Sequence, residues 1–488
     1  MFLGLDLGTT NVKAVLADAK GRAVGRGSAP VAVLHVGGDG IEQDVEEIWS
    51  AGLQAVRGAV AGADGQTVQA VGVSSQGGAL QVVGHDGRPV GRVVSWMDGR
   101  ARRYSEEVTR RLGTDWFAAH VGHGSGGIAV GQVLRLRRES PGLIEGARRV
   151  GFVGDVAVER LCGHAAHDAT SLSIALLFNP SLGKADPDLL RELDLEEGQL
   201  PALLPARAWA GGLREELATA LSLRAGIPVS PAVHDQYAAA LGCGAVRGGD
   251  VMFGAGTAWV LLAAAGRLMR PVIPAAFVCT HVAEGLYGQM LSLVNGGSSY
   301  AWAAGLLGLE GRRTQEMDDV LGRIPPGAEG LRFWPLLAPG GGAGLAPGTA
   351  GRLSGLRLSH TAAHVLRAVV EGLALELARY LRFLTGAGVG VRRLVMCGGG
   401  AAGQVTPQIV ADVTGVEVAC CSEPDTSALG AAVIARGLVD RAAGLAELSQ
   451  AMAPPLRVVE PGPHSAFYHE LLEEYLASLP LVREGAPA

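Results

Sequence analysis

Apolar positions along the first thirty residues come in short alternating runs, a pattern that predicts strands. MFLGLDLG, VKAVLADAKG and AVGRGSAPV are three such runs, and Gly8-Thr9-Thr10 and Lys20-Gly21 stand where the chain must reverse, so a β-meander is expected. The period then lengthens. Over 44–62, Val45, Ile48, Trp49 and Leu53 share one helical face; 69–74 reads as a strand, and 104–112 and 131–139 as helices, the latter with arginines on its outer face. Near residue 243 the layout begins again, because GDVMFGAGTAWVLLAAAGR repeats the strand, Gly-Thr turn, strand order of LGLDLGTTNVKAVLADAKGR. A long amphipathic helix over 360–384, a buried strand over 393–397, a glycine-rich turn and a helix over 407–414 follow. The stretch 325–354, rich in Gly and Pro, reads as a surface loop. Mixed α/β architecture with one lobe duplicated is the expectation.

Composition narrows this picture. A chain of 488 residues exceeds one compact core, so two lobes, 1–243 and 244–488, are the simplest division. With 48% hydrophobic and 18% charged residues it reads as an ordinary globular protein, and a net charge of -6 provides no basic footprint for nucleic acid. The N-terminus lacks the pattern of a signal peptide, with Asp6 inside its apolar run. The apolar stretch 251–265 is broken by Gly254 and Gly256 and is short of the roughly 20 residues a membrane span requires. A cytoplasmic chain with no membrane partner is expected. Six cysteines without a CxxC spacing read as reduced and buried.

Three glycine turns and one carboxylate carry candidate chemistry. In Asp6-Leu7-Gly8-Thr9-Thr10-Asn11-Val12-Lys13 a turn with free N–H groups and hydroxyls has a carboxylate before it and an ammonium after it, an arrangement that can cradle an anion or serve only as a hairpin. Gly254-Ala255-Gly256-Thr257-Ala258 makes a similar turn in the second half. Cys397-Gly398-Gly399-Gly400 ends a buried strand with three residues that let backbone approach a flat ring. Asp235, after the run Pro228–His234, stands where a strand delivers a carboxylate to its carboxyl end; capping of the following helix is the structural alternative. Two phosphate turns, a carboxylate for Mg²⁺ and a base aimed at a hydroxyl are what phosphoryl transfer requires. Other matches are decoys. Gly122-His123-Gly124-Ser125-Gly126-Gly127 fits GxGxxG with no strand before it, and Cys162, His164, His167 and Asp168 crowd a turn without the spacing of a zinc site. No P-loop, protein-kinase or nucleophile-elbow motif is present.

In order and spacing, DLGTTNVK, IEQDVEEIW, AVGVSSQGGALQVV, VVSWMDGRA, VHDQYAAALG, FGAGTAW and CGGGAAGQVTPQIVADVTGVEV resemble the FGGY carbohydrate kinases over nearly the whole chain. The resemblance implies the two-lobed actin, Hsp70 and sugar-kinase fold, which is ribonuclease H-like, with ATP in the cleft between the lobes. It assigns Gly8, Thr9, Thr10 and Lys13 to a first phosphate motif, and Gly256 and Thr257 to a second. Gly398, Gly399 and Gly400 fall in an adenosine motif, with Gln408 and Asp412 on the helix after it. Asp6 and Asp235 would hold Mg²⁺ through water, Asp235 also being the base. The acceptor would meet Gln76, Gly77, Asp98, His234 and Asp235.

Among subgroups the likeness is to xylulokinases, with departures at the acceptor positions. Where those kinases have Gln-Met-His-Gly, this chain has Gln76-Gly77-Gly78-Ala79, and their GGGDN is here Ala232-Val233-His234-Asp235-Gln236. Thr406 and Ile41 stand where a Trp is common. A ketopentose such as D-xylulose is the first acceptor expected. Gluconate, glycerol, erythritol, ribulose or a hexulose are alternatives, as is a non-catalytic, nucleotide-switched sugar sensor. Whether the chain forms a homodimer is left open by the sequence.

Overall fold

The computed structural model describes residues 1–293, 295–337, 342–346 and 348–481. They divide into two compact units. The first comprises Met1–Arg247, Gly266–Gln289 and Asp425–Pro454; the second Gly248–Ala265, Met290–Pro424 and Pro455–Ala488. Segments 266–289 and 425–454 thus pack with the first unit, although they follow the expected division at 243.

The first unit is built on the predicted meander. Strands Phe2–Leu7, Asn11–Ala17 and Ala23–Pro30 pair antiparallel in sequence order, Asp6 opposite Lys13. Phe2–Leu7 then pairs parallel with Ala70–Ser75, which pairs parallel with Pro228–His234. The register aligns Asp6 with Ser74 and Val233, and Leu7 with Ser75 and His234. Three parallel strands therefore end together, and their carboxyl ends deliver Asp6, Gln76 and Asp235 to one edge of the sheet. The helix Thr426–Val439 packs against the first two of these strands and against the helix Asp235–Gly242. The helix Val45–Val60 is capped by Asp44, which accepts from the amides of Glu46 (2.7 Å) and Glu47 (3.4 Å). Val45 and Ile48 are buried as expected, but small residues, Ala51, Ala55 and Ala59, complete the seam, with Trp49 and Leu53 at its margin.

Two readings are corrected here. The arginines of the helix Ile128–Glu139 do not all face outward: Arg135 is buried, its Nε on Gln132 Oε1 (2.8 Å) and one Nη on Glu139 Oε2 (3.3 Å). Periodicity places a side chain on a face without showing which partner awaits it. The stretch 325–354 is more than a loop, since Arg332–Trp334 and Arg352–Ser354 form an antiparallel pair. Part of it, 338–341 and 347, lies outside the described residues.

The second unit repeats the plan. Asp250–Ala255 and Trp259–Ala265 are antiparallel, Asp250–Ala255 is parallel to Arg393–Cys397, and that strand to Glu417–Cys421. The long helix runs Ala362–Gly386, and the helix after the glycine turn runs Val405–Thr414. All six cysteines are buried free thiols. Among the described residues no helix is long and apolar enough to cross a membrane.

Candidate active site

In the first unit the carboxyl ends of the parallel strands gather buried polar groups that the apolar sheet would otherwise exclude. Asp6 is buried and accepts from Ser74 Oγ at 2.8 Å. Burial pushes its pKa up to about 7, helped by the negative charge of Asp235 and offset by the Ser74 bond and the Lys13 ammonium. Burial likewise raises Asp235 to about 6, against a hydrogen bond from Gln236. Asp235 is the first residue of its helix and His234 occupies the cap position, with no side chain capping the helix. The capping role considered for Asp235 is therefore not the one it plays.

The first glycine turn is locked from one side. Thr9 Oγ1 donates to Gln76 Oε1 (3.1 Å) and accepts from Trp96 Nε1 (3.1 Å), while Gln43 Nε2 donates to the Thr9 carbonyl (2.8 Å) and Gln76 Nε2 to Gln43 Oε1 (2.9 Å). Gln76, expected at the acceptor, and the turn, expected at phosphate, are thus in direct contact. Lys13 is at the strand position expected, but its Nζ is 2.9 Å from Asp425, which also pairs with Arg26 at 2.8 Å.

On the acceptor side, Gly77 explains itself. A Cβ there would lie 2.6 Å from His234 Cδ2 and 2.6 Å from Ile174 Cγ2, so the imidazole occupies the space a side chain at 77 would take. His234 is buried, its Nε2 3.2 Å from Asp235 Oδ1 and its Nδ1 without a partner, and burial pushes its pKa down to about 3. It is a neutral imidazole beside the carboxylate. Asp98 has a different setting from the one expected. It lines a pocket of about 190 Å³ with Gly78, Trp96, Ile128 and Gln132. Its carboxylate, however, is taken up by Ile41 N (2.8 Å), Arg100 N (3.0 Å), Arg100 Nε (2.9 Å) and Gln132 Nε2 (3.1 Å). Burial alone would raise its pKa, but these bonds hold it below the usual carboxylate value. Its oxygens serve the fold first.

In the second unit a cavity of about 420 Å³ is lined by Gly256, Thr257, Gly399 and Gly400, four of the expected residues, together with Thr406. Its size and apolar walls of Leu321, Val370 and Leu373 suit a small organic ligand. Gly398 turns the chain into it with φ +85°. Gln408 does not line it; its amide donates to Asp412 Oδ1 (2.8 Å) and to the Glu460 carbonyl (3.1 Å), which braces the helix instead.

Sequence reasoning missed part of this wall. Gly297 and Ser298 begin the helix Gly297–Leu306, and their amides donate to the Gly256 (3.1 Å) and Thr257 (2.8 Å) carbonyls, which fixes the second turn. Asp318 accepts from Gln404 N (2.7 Å) and Val405 N (3.1 Å), anchoring the start of the helix after the glycines. The run Gly296-Gly297-Ser298-Ser299 ahead of a helix was the available signal. Of the decoys, 122–127 joins two helices, and Asp168 caps the helix Ala169–Ile174 through the amides of Thr170 (3.0 Å) and Ser171 (3.2 Å).

Residues 1–242 match the N-terminal domain of the FGGY family of carbohydrate kinases, and residues 251–436 its C-terminal domain. A glycerol kinase from Thermus brockianus is 31% identical over 464 residues, 91% of either chain. The xylulose kinase of Escherichia coli K12 is 26% identical over 453 residues, 92% of either chain. A crystal structure of a xylulose kinase from Rhodospirillum rubrum, 24% identical, superposes with a TM-score of 0.89 over 98% of this chain and 97% of that one, a likeness of fold.

Proposed function

We propose that this chain, which belongs to the FGGY family of carbohydrate kinases and is an enzyme using ATP with Mg²⁺, phosphorylates a ketopentose hydroxyl, D-xylulose being the first candidate, with Asp235 as general base. The observation that carries this reading is the buried Asp235 carboxylate at the end of a parallel strand, close enough to Asp6 for its charge to raise the pKa of that group. Acceptor, base and the first phosphate motif are assigned to 1–243, the second phosphate motif and the adenosine motif to 244–488, and the enzyme to the cytoplasm.

The residues fit both expected ligands. Asp6 and Asp235 are buried carboxylates that repel one another, hard oxygen donors whose repulsion a divalent cation relieves. Held by them through water, Mg²⁺ would supply charge stabilisation for phosphate oxygens. Asp235, ionised above about pH 6, would take the proton of the acceptor hydroxyl as that oxygen attacks the γ-phosphorus in line. Burial raises the Asp235 pKa and so keeps it basic, while His234, neutral and buried with Nε2 at 3.2 Å, sits beside the carboxylate without neutralising its charge. For the nucleotide, the cavity of about 420 Å³ has a wall left open by a missing side chain: Gly399 lines it, and a Cβ there would meet nothing within 4 Å. Thr9, Thr10 and Gly8 would meet phosphate through backbone N–H and hydroxyl groups, and Lys13 would act from its pair with Asp425.

Asp235→Asn should lower turnover by about a hundredfold or more while calorimetric ATP binding persists; wild-type turnover would remove Asp235 as the base. ADP release measured over D-xylulose, ribulose, a hexulose, erythritol, glycerol and gluconate tests the acceptor separately. A higher kcat/KM for glycerol, the substrate named in several relatives, would replace xylulose. Silence across the panel with nucleotide binding intact would favour a nucleotide-switched sensor.

A further inference from the structure

We propose that Ile128 sets acceptor selectivity from the wall of the pocket of about 190 Å³ in the first unit, and that this pocket favours a deoxyketose, one whose carbon facing Ile128 carries no hydroxyl. The inference rests on the acceptor reading above and narrows it. Gly78 and Ile128 both line the pocket, and a Cβ at Gly78 would lie 2.4 Å from Ile128 Cγ2. The isoleucine methyl thus fills the volume that a side chain at 78 would take. At the neighbouring position the His234 ring does the same for Gly77. The loop after Ser75 is bare of side chains at both positions, and residues from distant parts of the chain decide what stands there instead.

Ile128 is held there against its own backbone preference. It opens its helix with φ +47°, and a β-branched residue in the left-handed region is an outlier. Gly127, immediately before it, has φ −73°, so the glycine that could take a left-handed turn freely does not take it. Burial of apolar surface does not account for the isoleucine either, since its side chain is only partly buried. Strain kept on an accessible apolar side chain in a pocket wall points to a constraint set by what the pocket binds.

Much of the polar chemistry around the pocket is committed to the protein. The Asp98 carboxylate is taken up as described above, and Gln132 is used at both ends, Nε2 on Asp98 Oδ1 (3.1 Å) and the Asp98 carbonyl (3.1 Å), Oε1 on Arg135 Nε (2.8 Å). Trp96 Nε1 donates to Thr9 Oγ1 (3.1 Å), so this side chain offers the pocket carbon rather than a donor. Ser95, Arg102 and Ser105 also line it and are able to hold the hydroxyls that the acceptor keeps. A hydroxyl set against Ile128 would give up its bonds to water and gain none, whereas a methyl or methylene there gains apolar contact.

The test measures kcat/KM by ADP release with the full chain on matched ketoses that differ in one hydroxyl: D-xylulose and 1-deoxy-D-xylulose, L-tagatose and 6-deoxy-L-tagatose, L-fructose and 6-deoxy-L-fructose. In the pair used best, the deoxy member should be favoured by about ten- to a hundredfold. Ile128→Asn places an amide at the wall on a residue type that accepts the left-handed region. It should melt no lower than wild type and shift the ratio by about tenfold or more towards the hydroxylated member, with KM for ATP unchanged. Ile128→Val, still apolar and branched, should keep the wild-type ratio. A merely structural role would lower both members of a pair together. Ketoses phosphorylated with the hydroxylated member preferred by wild type, or with one ratio shared by wild type and Ile128→Asn, would overturn the role of Ile128 and leave the acceptor reading standing. Silence on all six ketoses would overturn both.

Discussion

The turns 8–10 and 256–258 join antiparallel strand pairs of the same layout, and in both cases the first strand continues parallel into the sheet, yet their surroundings differ. The first follows a buried carboxylate and is gripped by side chains from elsewhere in its unit, Gln43, Gln76 and Trp96. The second follows Phe253 and Gly254, carries no charge of its own, and is held by backbone amides at a helix start. A duplicated scaffold has thus been divided in role. One copy bears titratable groups whose desolvation costs stability, and the other bears a glycine-lined cavity where absence of side chains matters most. Charge needs fixed polar partners; a bound ring needs room.

Asp6 is where this contrast should break most visibly. Asp6→Asn keeps the shape of the side chain but removes its charge, and kcat should fall by about a hundredfold. The same variant should be more stable than wild type at about pH 8. The folded pKa is raised from 3.8 to about 7, so the folded state holds the proton more tightly than the unfolded chain. Its stabilising effect is present below about pH 4 and is lost as pH rises towards 7. Melts of the two proteins should diverge at high pH and coincide near pH 4; unchanged kcat would make the two turns equivalent after all.

The pH profile gives the next effect. With Asp235 raised to about 6, kcat/KM should drop about tenfold for each pH unit below that value, and a profile flat down to about pH 5 would remove the base from the first copy. In the second copy, Gly297→Ala forces a Cβ to 2.3 Å from the Gly256 oxygen. KM for ATP should rise several-fold to about tenfold with KM for the acceptor unchanged, and equal changes in both would blur the division. Trp96→Phe, which deletes the 3.1 Å bond to Thr9, should cost only a few-fold in kcat/KM, matching about 1 kcal/mol for one hydrogen bond.

Much of this was legible before any coordinates. Alternation gave the meander, and the repeated Gly-Thr turn gave the second copy, because turn and strand preferences are local. The glycines at 256, 399 and 400 were found for the same reason: a backbone that must come close to a ligand leaves that requirement in the residue type itself. Gln408 and Asp98 were expected as ligand contacts through the family resemblance, and the structure has them satisfied by protein partners. Gly297 and Asp318 went unnoticed since their roles depend on Gly256 and on the amides at 404 and 405, positions some forty and eighty residues away.

The sequence by itself determined the α/β alternation and the repeated strand-turn-strand layout, which are written in residue types at short spacing, and its ordered motifs determined the family; Asp235 and the glycine turns it named as candidates. Tertiary structure decided which of those polar groups are still available for chemistry. Only packing brings Asp425 to Lys13, sets the His234 ring against Gly77, and buries Asp6 beside Asp235. Desolvation and distant pairing, which act through space rather than along the chain, set the charge state of the site.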